Sequence, residues 1–281
     1  MRTPIPAPAE AARRNLVPMS DSSPAPGVPV SDEHTPEVLV HEDGHLTVIT
    51  IDRDHKRNAL SAEVCRAIAD AVAAAPGRDD VRVIMIRGAG RAFCAGADLG
   101  GGAHGSSDFH VQLARMLRAI QECPAVVIAD IQGPAVGAGT QLAMACDLRV
   151  VGERGWFQVP PVKLGIAVDA WTIRRARVLL GGSRARTVLL GAERMDRDEA
   201  AACGFASYCG DSALADEVAG RLAGYAPLSL EYHKMVLNDD ETHIEPRPEQ
   251  LELYRRVWAS EDAVEAGRAR AEKRDPVFRG R

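Results

Sequence analysis

The 281-residue chain predicts an α/β fold followed by a helical C-terminal part. Three observations carry that expectation. Short, nearly continuous apolar runs of strand length recur, segments of helical character alternate with them, and the strand signal nearly vanishes beyond about Thr172. Continuous apolar runs mark strands covered on both faces, and parallel strands of that kind need helical crossovers.

The pattern becomes regular at Val38, where two apolar stretches flank HEDG at 41–44 and Asp43-Gly44 signals a tight hairpin. Ser61 offers an N-cap oxygen to a helix running to about Ala75, with Glu63 in its first turn, where the helix dipole favours negative charge. VRVIMIR (Val81–Arg87) reads as a strand buried on both faces. The glycine loop RAFCAGADL (Arg91–Leu99) follows, then a helix near Phe109–Gln121 and the strand AVVIADI (Ala125–Ile131). A second glycine loop opens into a helix within GPAVGAGTQLAMACDL (Gly133–Leu148), and LRVV (Leu148–Val151) completes the alternation.

Downstream, WTIRRARVLLG, SRARTVLLG, MDRDEAAACG and ALADEVAGRLAG read as short helices, each stopped by glycine. Between them only FASYC (Phe205–Cys209) looks extended. From Pro227 to about Lys273 the pattern is helical, broken by Pro246 and Pro248. The domain plan is therefore a Pro/Ala/Ser-rich disordered tail at 1–34, a core at 35–226 and a helical region at 227–281.

Composition narrows the function. A net charge of −5 argues against a general nucleic-acid surface, which needs a basic excess. No apolar run approaches the ~20 residues of a membrane span. The six cysteines form no CxxC and read as reduced thiols in the cytoplasm, and the histidines show no metal-ligand spacing. Two glycine loops at the ends of successive inner strands, each handing over to a helix, can aim backbone N–H groups at one oxygen and stabilise negative charge there. One turn into the second helix, where proton transfer wants an acid, stands Gln141.

KRNAL (Lys56–Leu60), AFCAGADL (Ala92–Leu99), GPAVGAGTQLAMACDLRV (Gly133–Val150) and FQVPPVKLGIAVD (Phe157–Asp169), in this order and spacing, resemble the crotonase, or enoyl-CoA hydratase/isomerase, superfamily. The resemblance covers about Val38 to the C-terminus. It implies a crotonase-like spiral core of ββα repeats and a helical C-terminal trimerisation region, giving a homotrimer or a dimer of trimers. It implies an acyl-CoA thioester as ligand or substrate, with no other cofactor and no metal. The oxyanion hole would be formed by the backbone N–H groups of Ala97 and Ala138, the latter standing where glycine is usual. Around it, Lys56, Arg57, Ala59, Ala95, Asp98, Leu99, Gly100, Gly137, Gly139, Gln141, Pro161 and Trp171 would contact the thioester or CoA. Among these, Lys56 and Arg57 would meet CoA phosphates, and Trp171, with Leu164 and Ile166, would line the acyl pocket. Phe278, Arg279 and Arg281 would reach a neighbouring subunit's nucleotide.

The two glutamates of the family's hydratases fall on Gln141 and Pro161, and neither residue exchanges a proton near neutral pH. A positioned acid or base is worth about 10²–10⁴ in rate. The expectation is therefore a fatty acyl-CoA binder with little or no hydratase activity. Asp169 stands where the family's dienoyl-CoA isomerases carry an aspartate, so an enoyl-CoA isomerase with Asp169 as single acid/base is the alternative. Asp169 would equally serve as the cap of a helix starting near Ala170, or pair with Arg174 or Arg175. An ordinary hydratase would have to recruit its acids elsewhere, from Asp98 or Asp108. Cys94, in the first loop, reads as a packing residue and not as a nucleophile.

Overall fold

A computed structural model describes residues 37–75, 81–98, 107–225, 227–238, 255, 258–274 and 276. The expected tail at 1–34, the helix breaks at Pro246 and Pro248, the site candidates Leu99 and Gly100, and the terminal Phe278, Arg279 and Arg281 lie outside the described residues.

The strands are β1 (Val38–Asp43), β2 (Leu46–Ile51), β3 (Val83–Gly88), β4 (Val126–Ile131), β5 (Pro134–Val136), β6 (Leu148–Val151), β7 (Trp156–Gln158), β8 (Met195–Asp196) and β9 (Tyr208–Cys209). Helices α1 (Ala62–Ala74), α2 (Ser107–Glu122), α3 (Ala138–Ala145) and α4 (Ala170–Leu189) alternate with them. They are followed by α5 (Arg197–Ala202), α6 (Ser212–Ala223), α7 (Pro227–Asn238) and α8 (Glu261–Ala271).

The larger sheet has the order β1-β2-β3-β4-β6-β9. Only the β1–β2 hairpin is antiparallel; it turns at Gly44 and pairs Asp43 with Leu46, while the remaining neighbours are parallel. The apolar runs have the reason the sequence suggested. In β3, Ile84 and Ile86 face the main core with α1, α2 and α3, while Val83 and Met85 face a second core closed by Ala215, Val218 and Ala219 of α6. Both faces are covered, so both alternate sets are apolar.

The smaller sheet, β5-β7-β8, has no counterpart in the sequence reading. It continues into the first glycine loop through a parallel bridge: Cys94 pairs with Ala135, Ala135 with Phe157, and Phe157 with Met195. Each turn of the chain thus supplies one long strand to the large sheet, one short strand or bridge to the small one, and a helix. This is a ββα spiral, and it stacks successive loops beside each other.

Local capping agrees with the expected boundaries. Ser61 Oγ accepts from Val64 N at 3.2 Å, starting α1. The two glycine-stopped segments after Trp171 form α4, interrupted at Gly181 by non-helical angles (φ 74°, ψ 157°). Asp196 and Glu199 form a reciprocal capping box at α5. Buried Arg149 on β6 donates to the carbonyls of Cys146 at 2.8 Å and Phe205 at 2.5 Å, tying the end of α3 to the chain before β9. Desolvation lowers its pKa to about 10, and the carbonyl acceptors compensate the buried charge. Lys234 of α7, also buried, donates to Ile120 O (2.9 Å) and Ala125 O (2.8 Å) and pairs with Asp147 (2.8 Å). It pins the C-terminal helices to the junction of α2 and β4.

Candidate active site

The two glycine loops are strapped together by backbone hydrogen bonds. Cys94 N donates to Pro134 O at 3.0 Å, and Val136 N donates back to Cys94 O at 2.9 Å. On the other side of the first loop, Leu60 N donates to Gly96 O and Asp98 N to Leu60 O, both at 2.7 Å. In such a parallel bridge the central residue turns its own N–H the other way. The N–H of Ala97 therefore points away from Leu60.

In the second loop Gly137 adopts φ 53°, ψ −117°, a conformation suited to glycine, and its N–H is taken by Gln158 O at 2.8 Å. Ala138 is the first residue of α3, so its N–H has no intrahelical acceptor. The helix sits hard against the first loop: a Cβ on Gly139 would lie 2.2 Å from Cys94 O. Gly139 is therefore a packing residue and is not on the cavity wall.

Ala97 and Ala138 both line a cavity of about 200 Å³, together with Ala95, Gly137, Gln141, Pro161 and Asp169. With Leu164 and Ile166, the structure thus brings together nine of the sequence-derived site residues. Trp171 is not among them. It is buried in the main core, 1 % exposed, because the first turn of α4 directs it inward. The tryptophan on the cavity is Trp258, which lies just before α8 and which the sequence reading missed, as it did Phe109, His110 and Leu113 of α2. The α2 residues had a signal, the apolar stripe of an amphipathic helix. Trp258 lies in the stretch read as helical from Pro227 to about Lys273, and nothing in that pattern marked it as a cavity residue.

Asp169 and Gln141 meet on the cavity wall. Asp169 caps α4, with Oδ1 accepting from Thr172 N at 3.0 Å, as the helix-cap expectation had it. Its Oδ2 accepts from Thr172 Oγ1 at 2.8 Å and from Gln141 Nε2 at 3.0 Å. Gln141 Nε2 also donates to Thr172 Oγ1 at 2.6 Å, leaving the amide oxygen as its remaining hydrogen-bonding atom. An apolar end completes the wall with Leu113, Leu164, Ile166 and Val168.

Lys56, Arg57, Ala59 and Asp98 border the first loop without lining the cavity. Lys56 Nζ (2.8 Å) and Arg53 (3.0 Å) both pair with Asp98, and Arg53 also pairs with Glu37 at 2.6 Å and donates to the Ala59 carbonyl. Arg57 O accepts from Ala95 N at 3.0 Å. Asn58, held at φ 57°, donates to Ala92 O at 2.7 Å and accepts from Arg53 N at 3.0 Å. The KRNAL stretch is thus a buckle that fixes the first loop, and Arg53, part of the mixed charge run Asp52–Arg57 that reads as a solvated loop, is instead its buried centre. Asp98 is engaged in ion pairs and Asp108 is exposed beside Arg66 at 3.7 Å, so neither supplies an acid to the cavity. Burial pushes the Cys94 thiol up to about 12, which leaves it protonated and unreactive near neutral pH.

Known proteins align with most of the chain. The family described as Enoyl-CoA hydratase/isomerase matches residues 41–281. A protein named probable enoyl-CoA hydratase echA6 from Mycobacterium leprae is 42% identical over 245 residues, covering 86% of this chain and 98% of the relative. The 2,3-dehydroadipyl-CoA hydratase of Escherichia coli K12 is 30% identical over 256 residues, covering 87% and 99%. Among solved structures, a carnitinyl-CoA dehydratase from Mycobacterium avium 104 superposes with a TM-score of 0.78 at 32% identity, over 88% of this chain and 100% of the other.

Proposed function

The chain belongs to the enoyl-CoA hydratase/isomerase family, and from that premise we propose that it binds a fatty acyl-CoA thioester and hydrates it poorly or not at all. The observation that carries the reading is the pair Gln141 and Pro161 on the cavity wall, at the two positions where the family's hydratases hold glutamates. Asp169 is the only carboxylate among the described wall residues. The N–H groups of Ala97 and Ala138 would form the oxyanion hole and donate to the thioester oxygen, while Lys56 and Arg57 at the buckle would face the CoA phosphates. Binding then survives without the acid–base pair that adds water.

A second reading, an enoyl-CoA isomerase, is favoured by the placement of Asp169 on that wall. The carboxylate would take a proton from C2 of a 3-enoyl thioester and return it at C4, with the electron pair held meanwhile on the thioester oxygen. Against it, both Asp169 oxygens are already engaged as hydrogen-bond acceptors.

A trimer and a cytoplasmic setting belong to the same proposal. Exposed Ile173, Leu190, Met235 and Leu237 on or beside α4 and α7 suit a subunit contact, and the six cysteines are free thiols. Among the described residues no helix is long and apolar enough to cross a membrane. The test is crotonyl-CoA hydration followed by loss of enoyl absorbance, alongside calorimetry with octanoyl- and hexadecanoyl-CoA. Measurable binding with turnover far below about 1 per second is expected; turnover within the usual enzyme range of about 1–10³ per second would sink the binder reading.

A further inference from the structure

Gln141 reaches the cavity with one polar atom left over. The residue is 5 % exposed, and its Nε2 donates both to Asp169 Oδ2 at 3.0 Å and to Thr172 Oγ1 at 2.6 Å. A carboxylate offers acceptors only, so the amide nitrogen must face it and the amide oxygen must face away. No donor among the described residues reaches that oxygen, and it is not sealed in the interior. It opens onto the cavity that Gln141 lines.

The orientation is fixed from the Asp169 side. Thr172 donates to Asp169 Oδ1 through its N–H at 3.0 Å and to Oδ2 through its hydroxyl at 2.8 Å, so the carboxylate is held by the first turn of α4. Gln141 stands three residues after Ala138 on α3 and shares its helix face. Helical side chains lean toward the N-terminus, which brings the amide back beside the Ala138 N–H. The free oxygen therefore meets ligand atoms a few bonds from any carbonyl that this N–H holds.

We infer that Asp169 is a positioning residue that turns the Gln141 amide oxygen toward the cavity, and that this oxygen selects acyl thioesters carrying a hydroxyl group near the carbonyl. The inference rests on the acyl-CoA reading above and deepens it by naming the ligand class, hydroxyacyl thioesters. A hydroxyl donates to the waiting oxygen. A plain acyl chain strips water from it and leaves it without a donor, and an oxo group sets one acceptor against another. A site built around one hydrogen bond rejects the analogue that lacks it, a discrimination that apolar contacts do not supply.

The test is calorimetry with octanoyl-, 3-hydroxyoctanoyl- and 3-oxooctanoyl-CoA on the full-length wild type, Gln141→Met and Asp169→Asn. In the wild type, 3-hydroxyoctanoyl-CoA should bind about tenfold tighter than octanoyl-CoA, and 3-oxooctanoyl-CoA no tighter than octanoyl-CoA. Gln141→Met keeps the length of the side chain without its oxygen, and the hydroxyl advantage should shrink to within about twofold. Asp169→Asn keeps Oδ1 for Thr172 N and puts an amide nitrogen where Oδ2 was, so the Gln141 amide turns over and shows its nitrogen to the cavity. There 3-oxooctanoyl-CoA should bind about tenfold tighter than octanoyl-CoA. A merely structural role for either residue would shift all three thioesters together. Equal affinities in the wild type, decisive even where a variant does not fold, would overturn the inference while leaving the acyl-CoA reading intact. An Asp169→Asn protein with the wild-type order of affinities would overturn the positioning role. Failure of all three thioesters to bind the wild type would overturn both readings.

Discussion

Part of the cavity wall would meet a ligand through the backbone N–H groups of Ala97 and Ala138; another part is made of the side chains of Phe109, His110, Leu113 and Trp258. The first part is cross-braced by main-chain hydrogen bonds between Cys94, Pro134 and Val136, and by the approach of Gly139 to Cys94. In the second, ring contacts join Phe109, His110 and Trp258. The difference teaches which part of the wall tolerates substitution and which does not. Backbone donors survive most substitutions because every residue but proline has an N–H. A side-chain wall changes with each substitution, and Gln141 and Pro161 belong to that part.

The harshest way to break the backbone part is Gly139→Ala. The new Cβ would lie 2.2 Å from Cys94 O, against backbone that cannot give. Stability should fall by about 4 kcal/mol or more, toward the exceptional range for single substitutions. A chemical denaturation midpoint near wild type would show that α3 does not press on the first loop.

Asp169→Asn probes the side-chain part next. Asparagine keeps the cap to Thr172 N, but its amide group displaces an acceptor of the buried Thr172 and Gln141 donors, so stability should fall by about 1–3 kcal/mol. Any conversion of a 3-enoyl-CoA to its conjugated isomer should drop by a general-base factor of about 10²–10⁴. Equal rates in both proteins would remove Asp169 from the chemistry, and absence of conversion in both would leave the binder alone.

Alkaline pH loads the buried thiols behind the backbone part. Burial raises Cys94 and Cys146 from 9.0 to about 12. Above pH 9 the unfolded chain releases these protons while the folded chain retains them. The stabilisation is thus complete below about pH 9 and declines toward pH 12, by about 1.4 kcal/mol per pH unit for each thiol. Denaturant titrations at pH 8, 9 and 10 measure that slope. A flat profile from 8 to 10 would contradict the burial of both thiols.

The mildest change is Ala138→Pro. The first position of a helix accommodates proline, so α3 should persist while one donor disappears. Acyl-CoA affinity should fall by about tenfold, the worth of one hydrogen bond of about 1–1.5 kcal/mol. Unchanged affinity with an intact circular dichroism spectrum would mean that this N–H does not hold the thioester oxygen.

Much of the molecule could be read without coordinates. The hairpin at Asp43-Gly44, the cap at Ser61, the strand Leu148–Val151 and the break at Gly181 follow from turn chemistry, capping and periodicity, which act over a few residues. The absence of glutamate at 141 and 161 is also a property of the sequence, because residue identity needs no fold. Other features could not be read this way. The small sheet was hidden because β5, β7 and β8 are two or three residues long, too short to show a period.

What the sequence determined by itself is the order of the long strands and helices, the two glycine loops and the presence of Gln141 and Pro161 in place of carboxylates, each a consequence of local backbone preference or residue identity. Tertiary structure decided which residues became neighbours. It put Trp258 and not Trp171 on the cavity, made Arg53 the centre of the buckle, and gave Asp169 a helix to cap and a ligand wall to share with Gln141. These pairings join segments far apart in the chain, and they form only once the spiral has closed the loops between them. The entropy of that closure is offset by the packed core as a whole, so no local pattern could announce them.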